Sequence, residues 1–470
     1  MKYFLTLIQL WVGFLSICAS YPKANIWIIP SVESPQVYRN YAQTSKVHLE
    51  MARGEVEHIQ LVFPSKVNEE YRFTFDRYLK GIQISARELK KMNGYYDALV
   101  PFKNQLKCTD TLTAVWITVQ CPSRVPVGKY HQTIKIEGSK HFTIQLDYNV
   151  HHTTIPLKSS IPITVGVENR CMTEGLNDKE ADKERQRWVD FVLSYRMTPV
   201  FGTQITPERW QYEHSFSPWA WNDKRSIRLL NDRRYSCYML PFFTLSENEL
   251  ASLLCNIQKK GKLKESLFYI WDEPAYMEDY EQIKRKVNII RKYASDARIL
   301  TTFFCGPRNG PRKGDLYAVF DYLKHHIHVA TISLAPCKGN EEEVQHIRYK
   351  VPEGIDWWSY VCWQPGGNEP NFLLQMKGIQ QRAIMWRTWK NGSQGFLYWN
   401  CNIYHKRNPF TYITDMPHGD GILIYPGDIL GCKGPIASAR LERWRDGAEE
   451  MELLRLVEKN YSKEKADTLL

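Results

Sequence analysis

The sequence predicts two folded parts of different class: an antiparallel β-sandwich over residues 21–155, and a (β/α)8 barrel of the TIM type over residues 156–470 that includes the last helix. Three observations carry that reading. Up to residue 155 the chain alternates short β-branched and aromatic runs with turn residues, the pattern of a sandwich. Past Pro156 the rhythm changes to strand followed by helix, which argues for a parallel sheet. The run Leu267-Phe268-Tyr269-Ile270-Trp271 is apolar throughout, as suits a strand covered on both faces, and it stops at Asp272-Glu273-Pro274.

Taken in order, the chain opens with Lys2, an apolar run over residues 3–17 and the small residues Cys18, Ala19 and Ser20. That layout predicts a secretion signal cleaved after Ser20, and hence a secreted, periplasmic or cell-surface protein. Gln9 and Gly13 break a run already short for a bilayer, so no stable membrane span is expected. Ile17 stands where a lipoprotein signal has a small residue, which argues against a lipid anchor on Cys18. None of the 11 cysteines forms a C-x-x-C pair, so a zinc ribbon or thioredoxin-type site is not indicated.

Sandwich strands are predicted over 47–51, 58–63, 114–120, 130–136 and 142–150, with a hairpin at Gly138-Ser139-Lys140. His151 and His152 are adjacent and point apart in an extended chain, so a shared metal is not expected. Barrel strands are predicted over 161–167, 198–202, 236–243, 267–271, 299–304, 329–334, 357–361 and 395–399. Helices are predicted over 179–195, 247–260, 276–293, 341–349 and 372–390, the second opened by a Ser246/Glu249 capping box. Residues 204–231, with Pro207, Pro218 and three tryptophans, read as a long loop. A helix over 436–458 closes the barrel, and its Arg440, Arg443, Arg445, Asp446, Glu449 and Glu450 read as a solvated surface of i,i+4 pairs.

The chemistry gathers at the fourth barrel strand. Barrel sites lie at the C-terminal strand ends, which places Asp272 and Glu273 in the mouth. Pro274 keeps Glu273 out of the helical region and turns the chain before the next helix. The bland alternative is a helix N-terminus, where acidic residues suit the dipole. No nucleotide-binding loop, H-E-x-x-H or nucleophile elbow is present. The net charge of +11 is spread without a basic tract, so nucleic acid is not implied. The 15 Trp and 27 Tyr supply platforms of the kind sugar rings stack on.

Tyr360, Trp399 and Asn400 lie nearest the tips of strands seven and eight and are the candidate sugar contacts, although core packing would place the same residue types there. Trp386 and Trp389 read as helix packing. Arg308, Arg312 and Lys313, in the loop after strand five, are expected to recognise a sulfate or carboxylate on the glycan, a solvated basic loop being the alternative. Paired carboxylates at an aromatic mouth are the equipment of glycoside cleavage. Consecutive carboxylates suit a sugar whose own 2-acetamido oxygen attacks the anomeric carbon, one acid orienting it and the other donating the proton.

Several stretches together resemble glycoside hydrolase family 123, the β-N-acetylgalactosaminidases, and a wider group of related barrel proteins of unknown function. They are Ala52-Arg53-Gly54-Glu55 with Gln60, Pro126-Val127-Gly128-Lys129-Tyr130, Tyr269-Ile270-Trp271-Asp272-Glu273-Pro274, Gly395-Phe396-Leu397-Tyr398-Trp399, Gly419-Asp420-Gly421 with Tyr425-Pro426-Gly427, and Ser438-Ala439-Arg440-Leu441-Glu442 with Arg445-Asp446-Gly447. The resemblance implies substrate-assisted retaining hydrolysis of terminal β-linked N-acetylgalactosamine, with Asp272 orienting the acetamide and Glu273 acting as acid, then base. The glycan would be an oligosaccharide, glycolipid or glycosaminoglycan, with no metal or organic cofactor. Two alternatives stay open: a non-catalytic carbohydrate-binding or structural barrel, and a glycosidase for another sugar with a conventional nucleophile elsewhere.

Overall fold

The computed structural model describes residues 26–76, 81–206, 211–304, 306–311, 313–334, 351–404, 408–409 and 418–470. The expected signal sequence, Arg312 and the helix expected over 341–349 lie outside the described residues. By their contacts the residues form two compact units, one made of Met1–Leu157, Leu374–Trp386 and Leu430–Leu470, the other of Lys158–Leu373 and Arg387–Ile429.

The first unit is built on two five-stranded sheets. Its strands are β1 (Trp27–Pro30), β2 (Lys46–Arg53), β3 (Val56–Pro64), β4 (Glu70–Phe75), β5 (Gln83–Met92), β6 (Tyr95–Pro101), β7 (Gln105–Lys107), β8 (Leu112–Gln120), β9 (Gly128–Glu137) and β10 (His141–Thr154). One sheet runs β1-β3-β8-β5-β6 and the other β2-β10-β9-β4-β7. Alternate residues of both, such as Ile59, Leu61 and Phe63 on β3 and Ile144, Leu146 and Tyr148 on β10, interlock in one buried core. All pairs are antiparallel except β10 with β2, which is parallel, so the expected all-antiparallel sandwich is corrected at that edge. The predicted hairpin joins β9 to β10, with Glu137 opposite His141.

The second unit carries a 9-stranded sheet in the order β13-β12-β11-β19-β18-β17-β16-β15-β14. Its strands are β11 (Ile163–Glu168), β12 (Thr198–Thr206), β13 (Gln211–Ser215), β14 (Tyr238–Met239), β15 (Ser266–Trp271), β16 (Arg298–Phe303), β17 (Val329–Ser333), β18 (Asp356–Val361) and β19 (Phe396–Tyr398). Every pair is parallel except β12 with β13. The ends of the order meet where the Phe216 N–H donates to the Met239 carbonyl at 2.7 Å, so the barrel is nearly closed. Leu267 and Tyr269, Trp358 and Tyr360, and Leu397 with Trp399 are two apart on their strands, and they fill the interior together.

All eight predicted barrel strands are present, and among the described residues the strand–helix alternation is interrupted by an added antiparallel strand, β13. The loop expected over 204–231 contains β13 and a short helix, α2 below, because the Gln211–Ser215 segment finds a free edge on β12. The helices include α1 (Asp178–Ser194), α2 (Lys224–Leu229), α3 (Glu247–Lys259), α4 (Met277–Arg291) and α5 (Leu316–Leu323). The Ser246/Glu249 capping box opens α3 as expected, a device worth about 1 kcal/mol. On α4, Tyr280, Ile283, Val287 and Ile290 form the buried stripe. The single helix expected over 372–390 is two short ones, of which α6 spans Gly378–Arg382.

The last long helix, α7 (Ala439–Asn460), groups with the sandwich rather than the barrel, and its charged residues are not a solvated face. Arg440, Arg443, Arg445, Asp446 and Glu449 are all buried. Arg440 meets Asp97 at 2.9 Å, and Glu442 meets Arg87 at 2.6 Å and His58 at 3.1 Å. Arg382 at the end of α6 pairs with Asp446 and Glu450 of α7, and the indole of Trp386, on the short helix that follows, donates to Glu450 at 2.6 Å. Partners supplied by other elements outweigh the i,i+4 pairing that the helix sequence alone presents. Gly447 is required because a β-carbon there would strike the Arg382 carbonyl.

Candidate active site

The tip of β15 is fixed by its neighbours. Past Trp271 the ladder ends, and Glu273 takes φ +45°, a left-handed conformation that costs a non-glycine residue about 1–3 kcal/mol. Its backbone N–H donates to the Thr302 hydroxyl on β16 at 2.9 Å, and the Tyr360 hydroxyl on β18 donates to its carboxyl group. The neighbouring Asp272 is gripped through one oxygen: Oδ1 accepts from the Tyr269 hydroxyl at 2.7 Å and from the Thr302 hydroxyl at 2.7 Å. The turn therefore brings two consecutive carboxylates to one cavity, where a continuing strand would point them apart.

Both carboxylates line a cavity of about 910 Å³. Its far wall comes from β11, β12 and β19, with Gly166, Gly202, Leu397, Tyr398, Trp399 and Asn400. Gly166 is needed there, since a β-carbon would collide with the Trp399 carbonyl. Asp420 Oδ1 accepts from both the Tyr398 hydroxyl and the Trp399 indole, each at 3.0 Å, and so sets both rings. Gly421, at φ +68°, lets the chain pass the Trp399 ring, where any β-carbon would meet it. The Gly-Asp-Gly stretch thus has a physical role in shaping the mouth.

Burial, and next the Asp272 charge, push the Glu273 carboxyl up to about 7, while the Tyr360 hydroxyl and Arg308 act in the opposite sense. A carboxyl that keeps its proton near neutrality beside a fixed acceptor is fitted to proton donation. Against the cavity wall the His214 ring stacks on Tyr269, with centroids 4.2 Å apart. Burial lowers that imidazole to about 4, so it is neutral at ordinary pH, and its Nδ1 has no hydrogen-bond partner among the described residues.

Of the residues singled out from sequence, the structure gathers Asp272, Glu273, Trp399 and Asn400 in the cavity and joins Tyr360 to Glu273. Arg308 is exposed in the loop after β16, near enough for its charge to act on Glu273. Arg312 lies outside the described residues. Sequence reasoning missed Thr302, Tyr269, His214 and Asp420. The signal for Tyr269 was available, since it shares the parity of inward-facing Leu267. Asp420 was quoted only as part of a motif, and nothing marked His214 within a stretch read as loop.

Among the described residues no group of three His, Cys, Asp or Glu is placed to hold a metal, and no helix is long and apolar enough to cross a membrane. A nearly closed barrel whose mouth holds paired acids under aromatic walls is equipped for acid chemistry on sugars, and the chain falls in that class, the glycoside hydrolases. The profile described as glycoside hydrolase 123, catalytic domain, matches residues 183–457, more than half of the sequence. The chain belongs to glycoside hydrolase family 123, as its motifs implied.

Among solved structures, it is similar to a family 123 glycoside hydrolase from Clostridium perfringens, studied for glycolipid glycan hydrolysis. That likeness covers 94% of this chain and 90% of the other, at 14% identity and a TM-score of 0.66, and shows the shared fold. A family 2 β-galacturonidase from Eisenbergiella tayi matches 93% of this chain and 94% of its own at 9% identity, with a TM-score of 0.37. A family 2 glycosyl hydrolase from Bacteroides cellulosilyticus matches 78% of this chain and 46% of its own at 11% identity, with a TM-score of 0.30. No curated protein matches the sequence.

Proposed function

We propose that this glycoside hydrolase removes non-reducing terminal β-linked N-acetylgalactosamine by substrate-assisted, retaining hydrolysis. The observation that carries the reading is the unequal treatment of two adjacent carboxylates. Asp272 is anchored by two hydroxyl donors, whereas Glu273 has its proton affinity raised to about 7. In the first step the acetamide oxygen bonds to the anomeric carbon as the glycosidic bond breaks, and the departing oxygen takes the Glu273 proton. Asp272 orients the acetamide and balances the positive oxazolinium. In the second step a water gives its proton to Glu273 while its oxygen bonds to the anomeric carbon and opens the ring, returning the sugar with its configuration retained.

The other carboxylates that line the cavity are engaged, Asp279 by the N–H groups of Ala275 and Tyr276 and Glu278 by the Asn309 amide, which supports this route over a conventional nucleophile elsewhere. In this reading Tyr360, Trp399 and Asn400 shape the sugar site, and Arg308 and Arg312 meet a negative group on the glycan. The C. perfringens enzyme's link to glycolipid glycans makes such glycans, with other N-acetylgalactosamine-bearing oligosaccharides, the substrates to try first. We also place the protein outside the cytoplasm, on the strength of residues 1–20. The test is chromophore release from an aryl N-acetyl-β-galactosaminide against the matching aryl galactoside. Turnover of the first and near-silence on the second is expected, and brisk cleavage of the plain galactoside would overturn the acetamide's role.

A further inference from the structure

The cavity is larger than one sugar needs. At about 910 Å³ it stands near the top of the roughly 300–1,000 Å³ range of sites that enclose ligands well above monosaccharide size. It also has two distinct walls. Across the barrel from β15, the strands β11, β12 and β19 form one, together with Trp399 and Asn400. The other continues past the acid pair, through Ala275 and Tyr276 to Glu278, Asp279 and Gln282 on the first turns of α4, and is completed by Phe243 and Trp271. Glu273 sits on the turn that leads from β15 into this second wall. A proton donor must sit between the sugar being released and the group it leaves, so one wall belongs to each.

We propose that the wall of Phe243, Trp271 and Tyr276 is the subsite for the leaving portion of the glycan, and that it takes a neutral sugar ring by stacking. The proposal rests on the hexosaminidase reading above and extends it to the aglycone. Tyr276 is 46% exposed although it is a large aromatic residue lining the cavity. It is also held in place: the Asp279 carboxylate accepts from the N–H groups of Ala275 at 2.8 Å and Tyr276 at 2.9 Å. Phe243 is fixed from both sides, because Glu213 accepts from the N–H groups of Phe242 at 2.8 Å and Thr244 at 2.7 Å. The Lys286 ammonium packs 4.9 Å from the Phe243 ring centroid and 6.0 Å from that of Trp271.

The backbone that carries Tyr276 and Phe243 is therefore set before any ligand arrives, which lowers the ordering cost of stacking. Aromatic faces edged by amide and carboxylate groups fit a sugar, with its apolar ring face and hydroxyl rim, better than a lipid chain. Glu278 and Asp279 on the same wall disfavour an anionic ring stacked there, so the negative group assigned to Arg308 belongs to another sugar of the glycan.

The experiment compares kcat/KM for two substrates of the full chain. One is a disaccharide with β-N-acetylgalactosamine on galactose, and the other is N-acetylgalactosaminyl fluoride, whose leaving group is too small to stack. In Tyr276→Ala the disaccharide-to-fluoride ratio should fall about tenfold, and Phe243→Ala should lower it in the same direction. Tyr276→Phe keeps the ring and should hold the ratio within about twofold of wild type, a difference below 0.5 kcal/mol. A ratio unchanged in both alanine variants, or equal losses on both substrates, would overturn the subsite. Wild type that cleaves the fluoride but not the disaccharide would overturn the subsite alone. Wild type that cleaves neither would remove the hexosaminidase reading and the subsite with it.

Discussion

The Thr302 hydroxyl donates to Asp272 Oδ1 at 2.7 Å while accepting the Glu273 N–H at 2.9 Å, so one side chain on β16 sets both carboxylates at the tip of β15. Thr302→Val keeps the shape and removes both bonds. A misplacement of about 1 Å at a reacting centre costs on the order of 10²-fold in rate. We expect a loss of that size in kcat with poor and good leaving groups alike, measured on aryl N-acetyl-β-galactosaminides, and a smaller change in KM. A variant with wild-type kcat would mean that Thr302 does not position the pair.

The two acids should fail differently. Glu273→Gln removes a proton donor, a contribution of about 10²–10⁴-fold, and should recover most of it with a dinitrophenyl leaving group that departs without a proton. Asp272→Asn should be slow with every leaving group, because in the proposed route the oxazolinium forms in each case. Rescue of Asp272→Asn but not of Glu273→Gln would mean that the roles are exchanged. A melting curve on each variant separates loss of chemistry from loss of fold.

In the proposed mechanism Glu273 carries its proton in the first step, and its carboxyl is raised to about 7 by burial and by Asp272. Activity on substrates with poor leaving groups should therefore fall about tenfold per unit above pH 7, and this limb should vanish in Glu273→Gln. The positive charge of Arg308 favours the ionised form, so Arg308→Ala should move the limb to higher pH. The same variant should lose preference for sulfated over unsulfated oligosaccharides if Arg308 also meets an anion on the glycan. Equal turnover of both by wild type and variant would remove that role.

Glu55 offers a stability test in the sandwich unit. Its side chain accepts from the Ala52 N–H at 2.5 Å, and burial, with Glu449 next, pushes its carboxyl up to about 8. The folded state thus holds a proton that the unfolded chain releases near pH 4.5, so this contribution is full below pH 4.5 and is lost as pH rises to 8. Glu442 works the other way. Burial would raise it, but Arg445, Arg87 and His58 hold it well below the usual range, so its contribution is present above pH 4.5 and lost in acid. Glu55→Gln should match wild type near pH 5 and melt roughly a few °C higher at pH 9. Parallel Tm profiles would show that Glu55 does not titrate in this range.

The acid pair, the eight parallel strands and the two-sheet unit were legible in the sequence, because apolar periodicity and a charged stop are local properties. Leu267 to Trp271 read as a buried strand and Asp272-Glu273-Pro274 as its end, a helix N-terminus being the alternative that the structure removes. What tertiary structure alone decided is how those acids differ. The hydroxyls that grip Asp272 come from β15 itself and from β16, and the one that meets Glu273 comes from β18, three strands away in the sheet. His214 and Asp420 reach the mouth by the same kind of long-range placement. The charged face of α7 shows the rule most plainly. Its sequence is consistent with a solvated helix, and only the approach of Asp97, His58 and Arg87 turns it into a buried network, because a charge is tolerated inside a protein when partners from other elements arrive to meet it.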